Sequence, residues 1–272
     1  MLQLDRNINL YGYSVGSQKT CLWIKQMDIL FDIGISSRKT VSMNNLLISH
    51  SHLDHTAGLV YYLSQRKLLK YPTANIYVPP CTKRKYSAII EAWEGLEQNK
   101  YNYLLIPVEI GRKYLIGHNY YVSGFEVEHR LPAMGYTIFN ITQKLKTQYL
   151  GLTSKEIKKI KFQKDIFDKT ETPVITYLGD CKFSSIIRNK EVLCSKYLII
   201  ESTFIDNKKD VADAHRTGHI HLDEIIENIE LFYNIKKIIL IHFSARYKYS
   251  YIKETINKRF PKEFLNKVSI LE

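Results

Sequence analysis

Six consecutive residues, His50-Ser51-His52-Leu53-Asp54-His55, bring three imidazoles and one carboxylate together. Imidazole nitrogen and carboxylate oxygen suit zinc, with manganese or iron as lesser options. The segment follows a short apolar run, Leu46 to Ser49, that reads as a buried strand. Residues two apart in an extended segment point the same way, so His50 and His52 can grip one ion. Asp54 and His55, turning into the next helix, then face a second position. A six-residue segment cannot complete two such sites. Three further groups stand at the ends of apolar runs: His129 after Gly124 to Glu128, Asp180 after Thr176 to Gly179, and His242 after Ile238 to Ile241. Strand ends gather at one rim of a sheet sandwich, where residues this distant in sequence can meet.

The elements that must hold these groups follow from apolar spacing and turn residues. Cys21 to Ile24, Ile29 to Asp32 and Ile76 to Val78 read as strands, with a turn at Gly12 to Gly16 and a break at Gly34 to Ser37. Helical spacing predicts helices over Ala57 to Arg66, Arg84 to Gln98, His221 to Tyr233 and Tyr251 to Arg259. Leu104 to Asn140 is mostly strand, and Pro173 to Leu178, Tyr197 to Glu201 and Lys237 to Ile241 are further strands. No internal repeat or low-complexity linker interrupts the chain. Strands lead and helices follow in each half, which predicts an α/β fold. The simplest architecture is one domain over residues 1–272, an αββα sandwich of two mixed β-sheets flanked by helices.

Composition narrows the function. Hydrophobic residues make up 45% of the 272 and charged residues 24%, which excludes disorder. No apolar stretch is long enough to span a bilayer, so no membrane association is expected. Met1 to Leu10 carries Asp5, Arg6 and Asn7 and does not read as a secretory leader. Lys and Arg number 39 against 27 Asp and Glu, a net charge of +12, which favours a polyanionic partner, nucleic acid first. Cys21, Cys81, Cys181 and Cys194 form no CxxC pair. That excludes a zinc ribbon or a disulfide framework and fits reduced thiols in a cytoplasmic compartment.

The motifs ISHSHLDHTAGL (Ile48 to Leu59), HRLPAMGY (His129 to Tyr136), YLGD (Tyr177 to Asp180), ESTF (Glu201 to Phe204), GHIHLDE (Gly218 to Glu224) and IHFSARY (Ile241 to Tyr247) occur in this order. Together they resemble the metallo-β-lactamase superfamily and, within it, the tRNase Z branch in its short eukaryotic and plant-type form. HxHxDH alone indicates only the superfamily, whereas ESTF, GHIH and HFSARY in sequence are specific to the branch. The resemblance implies a zinc-dependent endoribonuclease that removes the 3′ trailer from precursor tRNA by metal-activated hydroxide attack, leaving a 3′-hydroxyl on the tRNA. It implies two zinc ions, one on His50, His52 and His129, the other on Asp54, His55 and His242, with Asp180 bridging both. Asp54 would also serve as general base. His219 would protonate the leaving oxygen, oriented by Glu201. A homodimer is implied as well.

Several positions depart from the family pattern. The segment Gly34 to Val41 (GISSRKTV) keeps Arg38 and Lys39 but not the longer proline–lysine–arginine loop of bacterial members. Cys181 stands where Thr is common. The long glycine–proline arm is replaced by Gln143 to Lys164, which carries Lys144, Lys146, Lys155, Lys158, Lys159, Lys161 and Lys164 against Glu156 alone. We expect a compact RNA-binding exosite there; a solvated hairpin is the plain alternative. His221 and His215 have no assigned part: His221 could reach a substrate phosphate or simply cap a helix. His118 reads as a surface residue. The competing function on this scaffold is a hydrolase of a small phosphodiester, lactone or thioester, since fold does not fix function. A non-enzymatic RNA-binding relative ranks last, because all seven candidate ligands are present.

Overall fold

Two sheets face each other, and both repeat one plan. The first begins with an antiparallel run: β1 (Leu2–Asp5), β2 (Ile8–Gly16), β3 (Lys19–Ile24) and β4 (Ile29–Phe31). It continues in parallel through β5 (Asn45–Leu47), β6 (Ala74–Val78) and β7 (Tyr103–Pro107). The second begins with antiparallel β8 (Lys113–Ile116), β9 (Tyr120–Val127), β10 (Ala133–Leu145) and β11 (Phe167–Tyr177). Parallel β12 (Tyr197–Glu201) and β13 (Lys237–Ile241) follow. The two-residue β14 (Phe243–Ser244) crosses back to pair with β2, and β15 (Val268–Ile270) closes the second sheet. The computed structural model describes residues 1–117, 119–160 and 165–271. The expectations for His118, Lys161 and Lys164 lie outside the described residues.

Alternation explains the layering. The inner faces of both sheets share one buried cluster, in which Leu22, Phe31 and Leu47 of the first meet Tyr136, Tyr177 and Ile199 of the second. The outer face of the first sheet is covered by helices Leu59–Leu68 and Lys83–Glu97. In the longer of these, Tyr86, Ile90 and Glu94 recur every fourth residue and are buried. The outer face of the second sheet packs on helices Leu222–Glu227 and Tyr249–Arg259. Parallel strands are buried on both faces, so β12 and β13 are near-continuous apolar runs. This is the expected αββα arrangement of two mixed sheets. Among the described residues no helix is long and apolar enough to cross a membrane.

Local corrections have physical causes. The expected turn at Gly12 to Gly16 is instead part of β2, held in register by a Ser14–Thr20 hydroxyl pair at 3.0 Å. The chain turns one step later, at Ser17 (φ 63). Pro173 does not open a strand but sits inside β11, at the register shift opposite Ile138 and Phe139. An irregularity tolerates the missing N–H. The helix expected over His221 to Tyr233 ends at Glu227, and a 3₁₀ turn covers Ile229–Phe232. The segment Gln143 to Lys164 is also recast. Its first residues extend β10, which pairs with β11 as far as Leu145 and Phe167. Beyond them lie a 3₁₀ turn at Thr147–Tyr149 and a short helix, Ser154–Ile160.

Candidate active site

Strand ends deliver the candidate residues to one rim. β5 leads into His50 and His52, and a one-turn helix at Leu53–Thr56 carries Asp54 and His55. His129 lies in the turn between β9 and β10. β11 leads through Leu178 into Gly179 and Asp180, and β13 leads directly into His242. Gly179 makes the turn at φ +65, and a Cβ there would come within 2.7 Å of Ser49 Cβ. Only glycine lets Asp180 follow the strand so closely.

The structure brings all seven groups together. Side-chain donor atoms of His50, His52, His129 and Asp180 lie within 4.8 Å of one another, as do those of Asp54, His55 and His242. Asp180 reaches the second group too: its carboxylate is 3.4 Å from His55 Nε2 and 3.3 Å from His242 Nε2. His50 Nε2 and His52 Nδ1 approach to 2.9 Å, and the Nε2 atoms of His55 and His242 to 3.4 Å.

Four of the rings are fixed from behind. His50 Nδ1–H donates to Ser49 Oγ (3.0 Å), His55 Nδ1–H to Asp32 Oδ2 (2.8 Å), His129 Nδ1–H to the Gly218 carbonyl (2.8 Å) and His242 Nδ1–H to Thr203 Oγ1 (3.0 Å). With the proton on Nδ1, Nε2 of each ring faces inward, where it can present a lone pair to a cation. Asp180 Oδ1 is buried without a hydrogen-bond donor, a condition that costs free energy unless a cation fills the gap. Burial, with neighbouring imidazoles, pulls the pKa of His50 well below the usual value, and burial lowers His52 and His129 as well. Burial also opposes a charge on His55, yet Asp180 and Asp32 push its pKa well above the usual imidazole range. Positive charge is therefore favoured between the carboxylates. The donor set, the ring tautomers and the orphaned oxygen all fit metal ions.

A second constellation adjoins the first. His219 Nδ1 is 2.9 Å from Glu201 Oε1, and its ring stacks on His242 at a centroid distance of 5.4 Å. Burial lowers the pKa of His219, but Glu201 and Asp180 outweigh it and raise it to about 9. Glu201 is fully buried and also accepts from the Cys181 backbone N–H (2.9 Å) and from Thr203. Cys181 thus contributes its backbone, which accommodates the departure from Thr at that position. His221 is buried and caps helix Leu222–Glu227, with its Nδ1 accepting from the Asp223 N–H at 3.1 Å. The phosphate-contact alternative for His221 is therefore set aside. His215 Nε2 pairs with Glu224 at 2.6 Å, and Glu224 in turn accepts from the His221 N–H at 3.0 Å.

Sequence reasoning missed the residues behind the rings. Asp32 is the chief one: fully buried, it accepts from the Ser49 N–H (2.7 Å), Ser49 Oγ (2.7 Å), His55 and Tyr177. An acid straight after the buried strand β4 was the signal available.

The basic segment stands apart from this cluster. Lys144, Lys155, Lys158 and Lys159 are exposed and enter no ion pair among the described residues. Lys146 pairs with Asp165 at 3.1 Å. The return strand also sets Asp168 across from Lys144 and brings Glu171 to Lys113. The count of seven lysines against one acid overlooked these groups.

No family model matches the chain. Individual proteins do. It is 35% identical to the tRNase Z TRZ1 of Arabidopsis thaliana over 249 residues, 90% of this chain and 89% of that protein. It is 24% identical over 281 residues to a ribonuclease Z of Staphylococcus haemolyticus, covering 92% and 87%. Its fold superimposes on the short form of human tRNase Z with a TM-score of 0.62 at 18% identity, over 97% of this chain and 96% of that one. It also superimposes on the metallo-β-lactamase fold protein YhfI of Bacillus subtilis with a TM-score of 0.65 at 15% identity, over 97% of each. A metallo-β-lactamase sandwich with this Arabidopsis relative leaves one conclusion: the chain belongs to the tRNase Z family.

Proposed function

We propose that this chain is a metal-dependent endoribonuclease that cuts precursor tRNA and releases the 3′ trailer. The observation that carries the reading is the pair of buried Glu201 and partly exposed His219 standing against the histidine–aspartate cluster. His50, His52 and His129 would hold one zinc ion and Asp54, His55 and His242 another, with Asp180 shared between them; imidazole and carboxylate ligands suit zinc. Two such ions would supply positive charge to polarise a phosphodiester and lower the pKa of water at the site.

The chain's own groups then manage protons and orientation. The pKa of Asp54 is lowered: burial raises it, but the His242 contact at 3.4 Å and His55 outweigh that. It is a carboxylate at neutral pH, able to orient and accept a proton from the attacking water. His219 carries a proton at neutral pH and can donate it from Nε2 to the departing 3′ oxygen. Glu201 holds Nδ1 and compensates the imidazolium charge. Asp32, Ser49, Thr203 and the Gly218 carbonyl keep the rings aimed while substrate enters.

The exposed lysines at the end of the β10–β11 hairpin form a proposed exosite for the tRNA backbone. The chain would act as one domain and as a homodimer, for which exposed Leu53, Tyr61, Ile89 and Trp93 offer an apolar surface near the His50 segment. The four free cysteines suit a reducing compartment, the cytosol first.

The test is direct. The zinc-loaded protein is incubated with a precursor tRNA transcript and the cut is mapped. A single cut just 3′ of the discriminator nucleotide is expected. Turnover of small phosphodiesters, lactones or thioesters, with precursor tRNA left intact, would establish the small-molecule reading instead.

A further inference from the structure

A cleft of about 430 Å³ opens beside His129. Its volume lies in the ~300–1,000 Å³ range of small-ligand sites. Pro79 and Pro80 just after β6, Leu131 from the turn before β10 and Met134 at the start of β10 give it apolar walls. Arg130 lines it as well, is exposed, and enters no ion pair among the described residues. This arginine lies close to the chain segment that carries His219. Its backbone N and Cγ would each lie 3.2 Å from a Cβ on Gly218, the residue just before His219. Arg130 therefore borders both the cleft and the residue that precedes the proposed proton donor.

The carboxylates at the rim set the polarity of the cleft. Glu109 pairs with Arg112 at 3.1 Å, and Glu128 with Lys182 at 2.8 Å and Arg188 at 3.1 Å. Glu126 is exposed and has no such partner among the described residues. The lining thus offers the Arg130 guanidinium, which matches a phosphate with paired N–H donors. It also offers the Glu126 carboxylate, which repels phosphate and can accept from the exocyclic amino group of a base.

We propose that this cleft is a subsite for the nucleotide next to the cut, with the phosphate on its side away from the cut on Arg130 and its base against Pro79, Pro80, Leu131 and Met134. The proposal rests on the tRNA-processing reading above and adds the residues that seat the chain beside the metals. The occupant is a nucleotide flanking the scissile bond, either the discriminator or the first of the trailer.

Two measurements test it. Arg130→Ala should lower kcat/KM for precursor tRNA roughly 10- to 100-fold, as removal of a charged phosphate partner does. Arg130→Lys should recover part of that loss. Hydrolysis of bis(p-nitrophenyl) phosphate, which has no flanking nucleotide, should fall far less than cleavage of precursor tRNA in both variants. The second readout needs no turnover. Cys81 lines the cleft and is exposed, whereas Cys194 is exposed outside it. A precursor tRNA with a non-hydrolysable linkage at the cut should slow alkylation of Cys81 by at least about tenfold and spare Cys194. Protection by mature tRNA ending at the discriminator would seat that nucleotide in the cleft; protection by the precursor alone would seat the first trailer nucleotide. A wild-type kcat/KM in Arg130→Ala, or an unprotected Cys81, overturns the subsite while leaving tRNA cleavage intact. Failure of the wild-type protein to cut precursor tRNA overturns the functional reading, and the subsite with it.

Discussion

Four imidazoles of the histidine–aspartate cluster have a hydrogen bond behind the ring that fixes the nitrogen in front. At the outer end of the β10–β11 hairpin the reverse holds: helix Ser154–Ile160 buries no residue, and its lysines are tied to nothing among the described residues. The two regions handle charge in different ways. A metal site needs donor atoms placed to within a fraction of an ångström, so each side chain is packed and bonded by others. A polyanion that presents charge every few ångströms needs positive groups of the right number more than in the right place. Fixing long lysine side chains in advance would cost rotamer entropy without improving the match.

The comparison can be broken first at Asp180. Asp180→Ala should abolish precursor cleavage and deplete both of the proposed ions from ~2 per chain, since one carboxylate faces both ligand groups. Elemental analysis that finds both ions at full occupancy would sink the shared-ligand assignment. His55→Ala should empty one position more than the other. A smaller loss is expected for His219→Ala, which should keep its metal and its RNA affinity but lose ~10²–10⁴-fold in single-turnover rate. Wild-type rates there would move the proton-donor role elsewhere.

Asp32→Ala sharpens the rigid side of the contrast. It removes a buried carboxylate from His55, Ser49 and Tyr177 at once. Thermal or denaturant unfolding should show a loss of about 3–5 kcal/mol, the usual cost of breaking a buried charged network. An unchanged midpoint would mean that the ring supports are dispensable. The smallest effect belongs to the compliant side. Replacing Lys144, Lys155, Lys158 and Lys159 with alanine should raise KM for precursor tRNA and flatten the log–log dependence of binding on salt, by ~0.7 to 0.9 for each phosphate no longer neutralised. Cleavage of a small phosphodiester should not change. If the variant binds precursor tRNA as wild type does at physiological salt, the hairpin end is only a solvated surface.

The same contrast explains what could be read from the chain. The six residues from His50 to His55 carry their meaning locally, and the apolar runs before His129, Asp180 and His242 mark strand ends without knowledge of pairing. Alternation and turn residues were enough for the two-sheet architecture. The supports were not legible, because their partners are distant: Asp32 meets Tyr177 across 145 residues, and Thr203 meets His242 across 39. Such contacts depend on sheet-to-sheet docking, which no local pattern encodes. The charge balance around the hairpin was only partly legible for a related reason. Counting charges from Gln143 to Lys164 ignored the register of the returning strand, which sets Asp165, Asp168 and Glu171 among the basic groups. Gly12 misled because a glycine inside a strand looks like a turn when its neighbours are not known.

The link between Asp32 and Tyr177 also bears on the order in which a growing chain can be finished. Nascent chains fold from the N-terminal side as they emerge. The first sheet's main run, with Asp32, Ser49 and His55, is made well before Tyr177 can supply the remaining donor from the second sheet. His242 and Phe243 then appear in succession. The first adds the final group of the cluster, and the second pairs β14 with β2 across from Val15. The last piece of the site and the last seam of the first sheet therefore arrive together on the ribosome. A product that terminates before them carries neither, so premature termination leaves out the last histidine of the cluster and the seam that ties β2 to the second half of the chain at a single stroke.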